Sequence, residues 1–123
     1  MMKSISIVVI FVCYLVVLVS SQPNPPTIRQ TRTGQVVKSK PEWKVEITNT
    51  EACTFLNLKL STIPENFAPV APIDPSILRK DETDKYWILN NGEPLYGSKS
   101  FGFTYAGDFV KFSVADYTIA CSV

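Results

Sequence analysis

The residues best suited to chemistry are few and widely spaced. Asp81, Glu82 and Asp84 form the densest group of carboxylates, which could act as ligands for a hard cation or as an acid/base pair. Calcium loops of known type place a glycine among such ligands, and none lies between these residues. Lys80 and Lys85 flank the group as counter-charges. The pattern is therefore typical of a solvated surface turn.

Histidine is absent from the sequence of 123 residues. This excludes Ser-His-Asp and Cys-His catalysis and removes the commonest protein ligand of transition metals. A glycosidase needs two carboxyl groups across a cleft, and nothing in the sequence singles out such a pair among the 11 acidic residues. We therefore expect no catalytic residue, no cofactor and no metal site, and we expect the protein not to be an enzyme.

Residues 1–21 predict a secretory signal peptide. Lys3 gives the positive start, residues 7–19 the apolar stretch, and cleavage is expected between Ser21 and Gln22. An uncleaved membrane anchor is the alternative, although the apolar run is shorter than the roughly 20 residues that a span needs. We expect a secreted, extracellular protein without membrane insertion after cleavage. The remaining chain of about 100 residues suits one small domain.

The cysteines and the charge narrow the class of protein further. Cys13 lies in the predicted signal peptide, which leaves Cys53 and Cys121. In an exported chain an even pair favours one disulfide, and two free buried thiols are the alternative. The formal net charge of +1, without a long basic cluster, argues against a nucleic-acid partner and a polybasic membrane contact.

Apolar side chains on alternate positions predict strands throughout the rest of the chain. Residues 41–49 show this period most clearly, and the ring of Trp43 is the natural centre of a core. Similar runs at 27–31, 56–60, 86–89, 101–105, 110–114 and 117–121, separated by turn residues, predict an all-β fold. We expect a small antiparallel β-sandwich of about seven short strands with little helix. The expected core residues are Trp43, Val45, Ile47, Leu58, Phe103 and Phe112.

The connections carry their own signals. Residues 22–26 predict a proline-rich flexible leader, and residues 27–123 a single domain. A turn is expected at Thr33 and Gly34, and the strand at 41–49 is expected to pair with the strand at 56–60 as a hairpin. Residues 64–78 are proline-rich and predict a crossover, in which Asp74 caps one helical turn over residues 76–79.

Several short motifs occur in a characteristic order. They are Thr33-Gly34, Pro41-Glu42-Trp43-x-Val45-x-Ile47-x-Asn49, Asp74-Pro75-Ser76-x-Leu78, Asn91-Gly92-x-Pro94 and Phe103-x-Tyr105-Ala106. In this order and spacing the sequence resembles the plant tapetum determinant family from about Thr27 to Cys121. The resemblance implies an extracellular, apoplastic β-rich protein of flowering plants. It also implies a ligand of a leucine-rich-repeat receptor kinase that sets anther cell fate, with the receptor-kinase ectodomain as partner.

The sequence departs from the family pattern at four cysteines. The family has cysteines at the positions of Glu51, Thr62 and Trp87 and another upstream of Thr27, whereas Cys53 and Cys121 match it. If whole bridges are lost together, one pair stays intact. The resemblance therefore supports a bridge between Cys53 and Cys121.

These observations favour a secreted, non-enzymatic signalling or interaction protein. The candidate partner-binding residues lie in two loops, because loops on rigid sandwiches carry function: Asp74, Pro75, Leu78, Asn90, Asn91, Gly92 and Tyr96. The alternative is an extracellular carbohydrate- or cell-wall-binding module that stacks sugars on Tyr86, Trp87 and Tyr96. A weak hydrolase and a family member without a present partner are further alternatives.

Overall fold

Seven strands, all paired antiparallel, make up the sheets of residues 23–121, which are the residues that this computed structural model describes. They are β1 (Thr27–Val37), β2 (Lys40–Thr48), β3 (Thr54–Ile63), β4 (Leu78–Lys80), β5 (Trp87–Leu89), β6 (Ser100–Ala106) and β7 (Lys111–Ala120). One sheet has the order β1-β2-β6 and the other β4-β5-β3-β7. In this part of the chain the helical structure is one 3₁₀ turn at Asn90–Gly92. The predicted antiparallel sandwich of about seven strands is confirmed.

The predicted signal peptide and its cleavage between Ser21 and Gln22 lie outside the described residues. Residues 23–26 have no regular secondary structure. Pro26 is buried, and the backbone nitrogen of Asn24 donates to Oε1 of Glu51 at 2.9 Å. The flexibility expected for this leader stays a prediction. Between residues 23 and 121 no helix has the length and apolar character to cross a membrane.

The turn between β1 and β2 lies five residues later than predicted. Gly34 has a φ of +88° inside β1, where the pairing register shifts between Arg32 and Val36. The glycine therefore marks a bulge, for which its conformational freedom suits it, and the predicted turn there is wrong. The chain reverses at Lys38 and Ser39, whose φ values of +50° and +66° match the two central residues of a type I′ turn.

The predicted hairpin between the strand at 41–49 and the strand at 56–60 is also wrong. β2 pairs with β1 and β6, whereas β3 pairs with β5 and β7, so the connection passes from one sheet to the other. The buried side chain of Asn49 holds this connection. Its Nδ2 donates to the carbonyls of Cys53 at 2.7 Å and Leu95 at 3.0 Å, and its Oδ1 accepts from the nitrogen of Glu51 at 2.9 Å.

A bulge resets the buried face of β3. Phe55 is fully buried, Leu56 is half-buried, and Asn57 has a φ of +52° beside a register shift in the pairing with β7. After the bulge, Leu58 and Leu60 face the core. The prediction that Leu56 shares their face is therefore wrong, because an extra residue in a strand reverses the side on which the following side chains point.

The core lies between the two sheets. Five of the six predicted core residues are buried in it, namely Val45, Ile47, Leu58, Phe103 and Phe112. Phe67, from the segment of residues 64–77 that we call the crossover, sits at the centre of an aromatic cluster. Its ring centroid lies 5.3 Å from that of Tyr105, 5.4 Å from that of Phe112 and 5.4 Å from that of Trp87. One side chain thus fixes the crossover to both sheets.

Trp43 is not the centre of the core. It is half-buried near the start of β2, where it packs edge-on against Phe109 at 5.1 Å between ring centroids. Its Nε1 donates to the carbonyl of Gly107 at 3.2 Å, and the guanidinium of Arg32 lies 5.7 Å from its ring. The prediction failed because period two gives the face of the strand but not the distance along it to the middle of the sandwich.

Candidate interaction surfaces

The disulfide ties the beginning of β3 to the end of β7. The expected disulfide between Cys53 and Cys121 is present, with 4.4 Å between their Cα atoms. Because β3 and β7 are adjacent in the sheet, the bond closes the end of the strand pair that lies next to Asn49 and Leu95. This end of the sandwich is thereby held by one covalent bond and by the amide of Asn49.

Other contacts occupy the positions at which the resemblance places additional cysteines. Glu51 accepts the hydrogen bond from Asn24, so a polar contact now joins the leader to the β2–β3 connection. Thr62 is buried on β3. Trp87, on the neighbouring strand β5, pairs with Leu60 of β3. Packing of the indole on Phe67 therefore contributes apolar contact where a family cysteine is missing.

Asp74 organises a turn in the crossover rather than a helix. Its Oδ1 accepts from the backbone nitrogen of Ser76 at 2.9 Å and from the hydroxyl of Ser76 at 2.8 Å. These hydrogen bonds, the backbone one first, lower the pKa of the carboxyl. The predicted helical turn over residues 76–79 is wrong, because the chain enters β4 at Leu78 and pairs with β5. Asp74 and Pro75 are both exposed.

Leu78 is not available to a partner. Its side chain is 2 % exposed and belongs to the hydrophobic core, opposite Leu89 in the β4–β5 pair. We therefore remove it from the candidate binding residues. The sequence signal was ambiguous, because a leucine next to a polar turn suits either a contact residue or the first buried position of a strand.

The two predicted loops meet in space. The backbone nitrogen of Asn90 donates to the carbonyl of Ile77 at 2.8 Å, at the end of the crossover, and a guanidinium nitrogen of Arg79 donates to Oδ1 of Asn91 at 3.2 Å. Asn90, Asn91 and Gly92 all have positive φ, as the predicted turn requires. We call Asp74, Pro75, Asn90 and Asn91 the loop surface.

The aromatic residues suggested for sugar stacking do not form a platform. Tyr96 is 60 % exposed, whereas Tyr86 and Trp87 are half-buried. The ammonium of Lys80 lies 4.8 Å from the ring of Trp87, and that of Lys85 lies 5.4 Å from the ring of Tyr86. Each lysine occupies a ring face that a sugar would need, so this geometry disfavours the carbohydrate-binding alternative.

The turn with Asp81, Glu82 and Asp84 was predicted to be solvated, but the side chain of Asp81 is buried. The Asp81 side chain is 2 % exposed, and its Oδ1 accepts from the Thr83 hydroxyl at 2.7 Å and from three backbone nitrogens, while Oδ2 contacts Nζ of Lys59 at 3.3 Å. The hydroxyl of Thr83 lowers the pKa of Asp81 most, followed by the backbone nitrogen of Tyr86 and the ammonium of Lys59. Together they bring this pKa to about 2 against the opposing effect of burial. Between residues 23 and 121 no group of three His, Cys, Asp or Glu side chains is arranged to hold a metal.

A groove of about 660 Å³, which the sequence did not predict, lies along β6. It runs between this strand, at Gly102 and Thr104, and the crossover, at Ala71, Ile73 and Ile77. Its solvent-facing border is formed by three residues of β2, namely Glu42, Lys44 and Glu46, and by Asp74. The only sequence signal for it is the run of small residues at alternate positions of β6.

These features of residues 23–121 define a class of protein: a small antiparallel β-sandwich with a disulfide, a hydrogen-bonded loop surface and a groove at a sheet edge. The family model of tapetum determinant 1, C-terminal, matches residues 23–122, and the chain belongs to this family. The resemblance seen in the sequence is confirmed, and it indicates a protein of plant developmental signalling. No curated protein and no solved structure matches the chain significantly.

Proposed function

We propose that the chain is a secreted, non-enzymatic ligand that binds the ectodomain of a leucine-rich-repeat receptor kinase controlling anther cell fate. The observation that carries this proposal is the family match, which extends over residues 23–122. Secretion is supported by the apolar N-terminal segment and by the disulfide, since such bonds persist in oxidising compartments.

The loop surface is the proposed contact with the receptor. Asp74 and Pro75 are exposed and belong to a turn that the carboxyl of Asp74 fixes, and Asn90 is bonded to the carbonyl of Ile77. Such a surface is preorganised, so binding loses little conformational entropy. A rigid ligand that docks by shape also needs no catalytic group, in agreement with the absence of histidine.

The acidic residues also support a non-enzymatic role. Asp81 forms hydrogen bonds inside its own loop and contacts Lys59, and its low pKa keeps it ionised at neutral pH. It is therefore unsuited to act as a general acid or base near neutral pH, for which the pKa must lie close to the working pH.

Binding of the mature, oxidised protein to a panel of leucine-rich-repeat receptor-kinase ectodomains tests the proposal. We expect one ectodomain to bind at micromolar concentration or below. Pro75→Arg adds a large charged side chain to the loop surface and should weaken this binding at least about tenfold. Val36→Arg is the matched control, because Val36 is 66 % exposed on β1 and belongs to neither of the two candidate loops.

The outcomes separate the parts of the proposal. Absence of binding across the panel at micromolar concentration contradicts the receptor-ligand function. Binding that Pro75→Arg and Val36→Arg leave equally strong contradicts the choice of the loop surface but keeps the function. Hydrolytic turnover by the purified protein would contradict its non-enzymatic character.

A further inference from the structure

The strand β6 has one hydrogen-bonded neighbour, β2, and therefore one free edge. The nitrogen of Asn49 donates to the carbonyl of Lys99 at 2.9 Å, and the nitrogen of Gly107 to that of Pro41 at 3.0 Å, at the two ends of the β2–β6 ladder. Hydrogen-bonded pairs recur at every second residue of an antiparallel ladder. The odd-numbered residues of β6 thus bond to β2, and Gly102 and Thr104 direct their N–H and C=O groups to the free edge.

The crossover begins to pair with this edge but does not continue. The nitrogen of Val70 donates to the carbonyl of Ala106 at 3.0 Å. In the register that this bond begins, the next donor opposite Thr104 would be residue 72, which is a proline without an N–H. Residues 71–77 form no backbone hydrogen bond with β6. Within residues 23–121 the backbone groups of Gly102 and Thr104 have no backbone partner, and both residues are exposed.

The groove lies where a further strand of the smaller sheet would be. That sheet has three strands and the other has four. The ring of Phe67 contacts both Tyr105 on β6 and Trp87 on β5, so β6 and β5 face each other across the core. The strand β4 lies beyond β5, and the position opposite it, beside β6, is taken by the groove and its crossover wall.

The two sides of the groove differ in chemistry. Ile73 and Ile77 pack against the core from the crossover and give an apolar wall. On the outer face the carboxylates of Glu42, Glu46 and Asp74 outnumber the single ammonium of Lys44, which lies 3.9 Å from Glu46. The outer face therefore complements positive charge, and the inner wall complements apolar side chains.

We propose that the free edge of β6 binds an extended segment of the protein partner as an added strand. The segment pairs with the backbone of Gly102 and Thr104, and its side chains alternate between apolar groups against Ile73 and Ile77 and basic groups towards Glu42 and Glu46. This inference rests on the proposed function for the identity of the partner. The binding of an extended peptide to the free edge of β6, however, can be tested without a receptor.

The first test uses the wild-type protein and a capped hexapeptide of alternating lysine and valine. Amide exchange at Gly102 and Thr104 should slow at least about tenfold at saturating peptide, because these N–H groups become hydrogen-bonded. Ile28 is the internal control. It lies on the free edge of β1, where the same alternation directs its N–H away from β2, and its exchange should stay unchanged.

Three results of this test would overturn the inference. One is unchanged exchange at Gly102 and Thr104 with saturating peptide, and another is equal slowing at Ile28. The third is equal binding of a peptide N-methylated on the residues that face β6, since methylation removes the donors that strand addition requires.

The second test compares Thr104→Pro with Thr104→Val in binding to the receptor ectodomain found above. Proline removes an N–H that β2 does not use, and valine keeps the N–H and the side-chain volume. We expect Thr104→Pro to bind at least about tenfold more weakly and Thr104→Val to bind like wild type. Circular dichroism checks that both variants fold; if Thr104→Pro does not, the exchange experiment decides.

The outcomes of the second test distinguish failure of this inference from failure of the proposed function. Receptor binding that Thr104→Pro does not weaken overturns the inference and leaves the function intact. If no ectodomain binds, the proposed function is contradicted. The exchange experiment with the hexapeptide then decides whether β6 binds an added strand. Dimerisation of the wild-type protein that Thr104→Pro abolishes would overturn the choice of occupant, because the added strand would then come from a second copy.

Discussion

Gln30 on β1 and Phe112 on β7 are joined by a hydrogen bond of 3.0 Å from the Phe112 nitrogen to Oε1 of Gln30. Nε2 of the same side chain donates to the carbonyl of Val110 at 2.7 Å. β1 and β7 are edge strands of different sheets, so this one amide closes that side of the sandwich as a peptide group would. The Val110 nitrogen donates to the hydroxyl of Tyr105 at 3.0 Å, and burial raises the pKa of that phenol.

We predict that Gln30→Leu destabilises the protein by about 1–3 kcal/mol, because it leaves the N–H of Phe112 without a partner. The carbonyl of Val110 would keep only the hydroxyl of Tyr105, which lies 3.4 Å away. Equilibrium unfolding in urea measures this. Thr31→Val is the control, since Thr31 is exposed on the opposite face of β1 and should change the free energy of unfolding little. Equal effects of the two variants would show that the amide bridge contributes nothing specific.

We predict that loss of the disulfide lowers the free energy of unfolding by about 4 kcal/mol, because the bond closes a long loop of the unfolded chain. Cys53 and Cys121 are 68 residues apart. The double variant Cys53→Ser, Cys121→Ser should unfold at lower denaturant concentration than oxidised wild type and at the same concentration as reduced wild type. A reducing agent without effect on the wild-type transition would contradict this prediction.

We predict a loss of stability at acid pH that depends on Asp81. Its pKa is about 2 in the folded protein against 3.8 ordinarily, so the unfolded chain binds more protons than the folded one between these values. The contribution of Asp81 is present above about pH 4 and is lost as the pH falls towards 2. The free energy of unfolding, measured in urea across this range, should fall less steeply in Asp81→Asn than in wild type. Glu82→Gln, on the exposed neighbour, should keep the wild-type slope.

We predict that Phe67→Ala destabilises the protein by about 3–5 kcal/mol, because it opens a cavity among three aromatic rings and releases the crossover. Phe109→Ala is the matched control. Phe109 is 54 % exposed and packs on Trp43, so its removal should cost about 1 kcal/mol. Thermal unfolding of both variants gives the comparison, and a small effect of Phe67→Ala would show that the crossover is held by other contacts.

The candidate site was only partly predictable from the sequence. The polar turn chemistry of Asp74, Pro75 and Asn91 marks loops, because these residues favour turn conformations wherever they occur. Their meeting through Asn90 and Ile77 could not be predicted, since that contact depends on the pairing of β4 with β5. The groove was missed because it arises from a gap between two segments distant in sequence.

The sequence by itself determined the class of fold and most of the core. Alternation at Val45, Ile47 and Phe103 is a local property of an extended chain, so it identifies strands and the face that each one buries. Tertiary structure decided which strands pair, where the chain turns and how far each side chain lies from the middle. Trp43 meets Tyr105 across 62 positions of sequence, and no local pattern specifies such a partner. Pairing between strands decides it, because backbone groups in the interior of a sheet, away from its free edges, need an acceptor or donor in the folded chain.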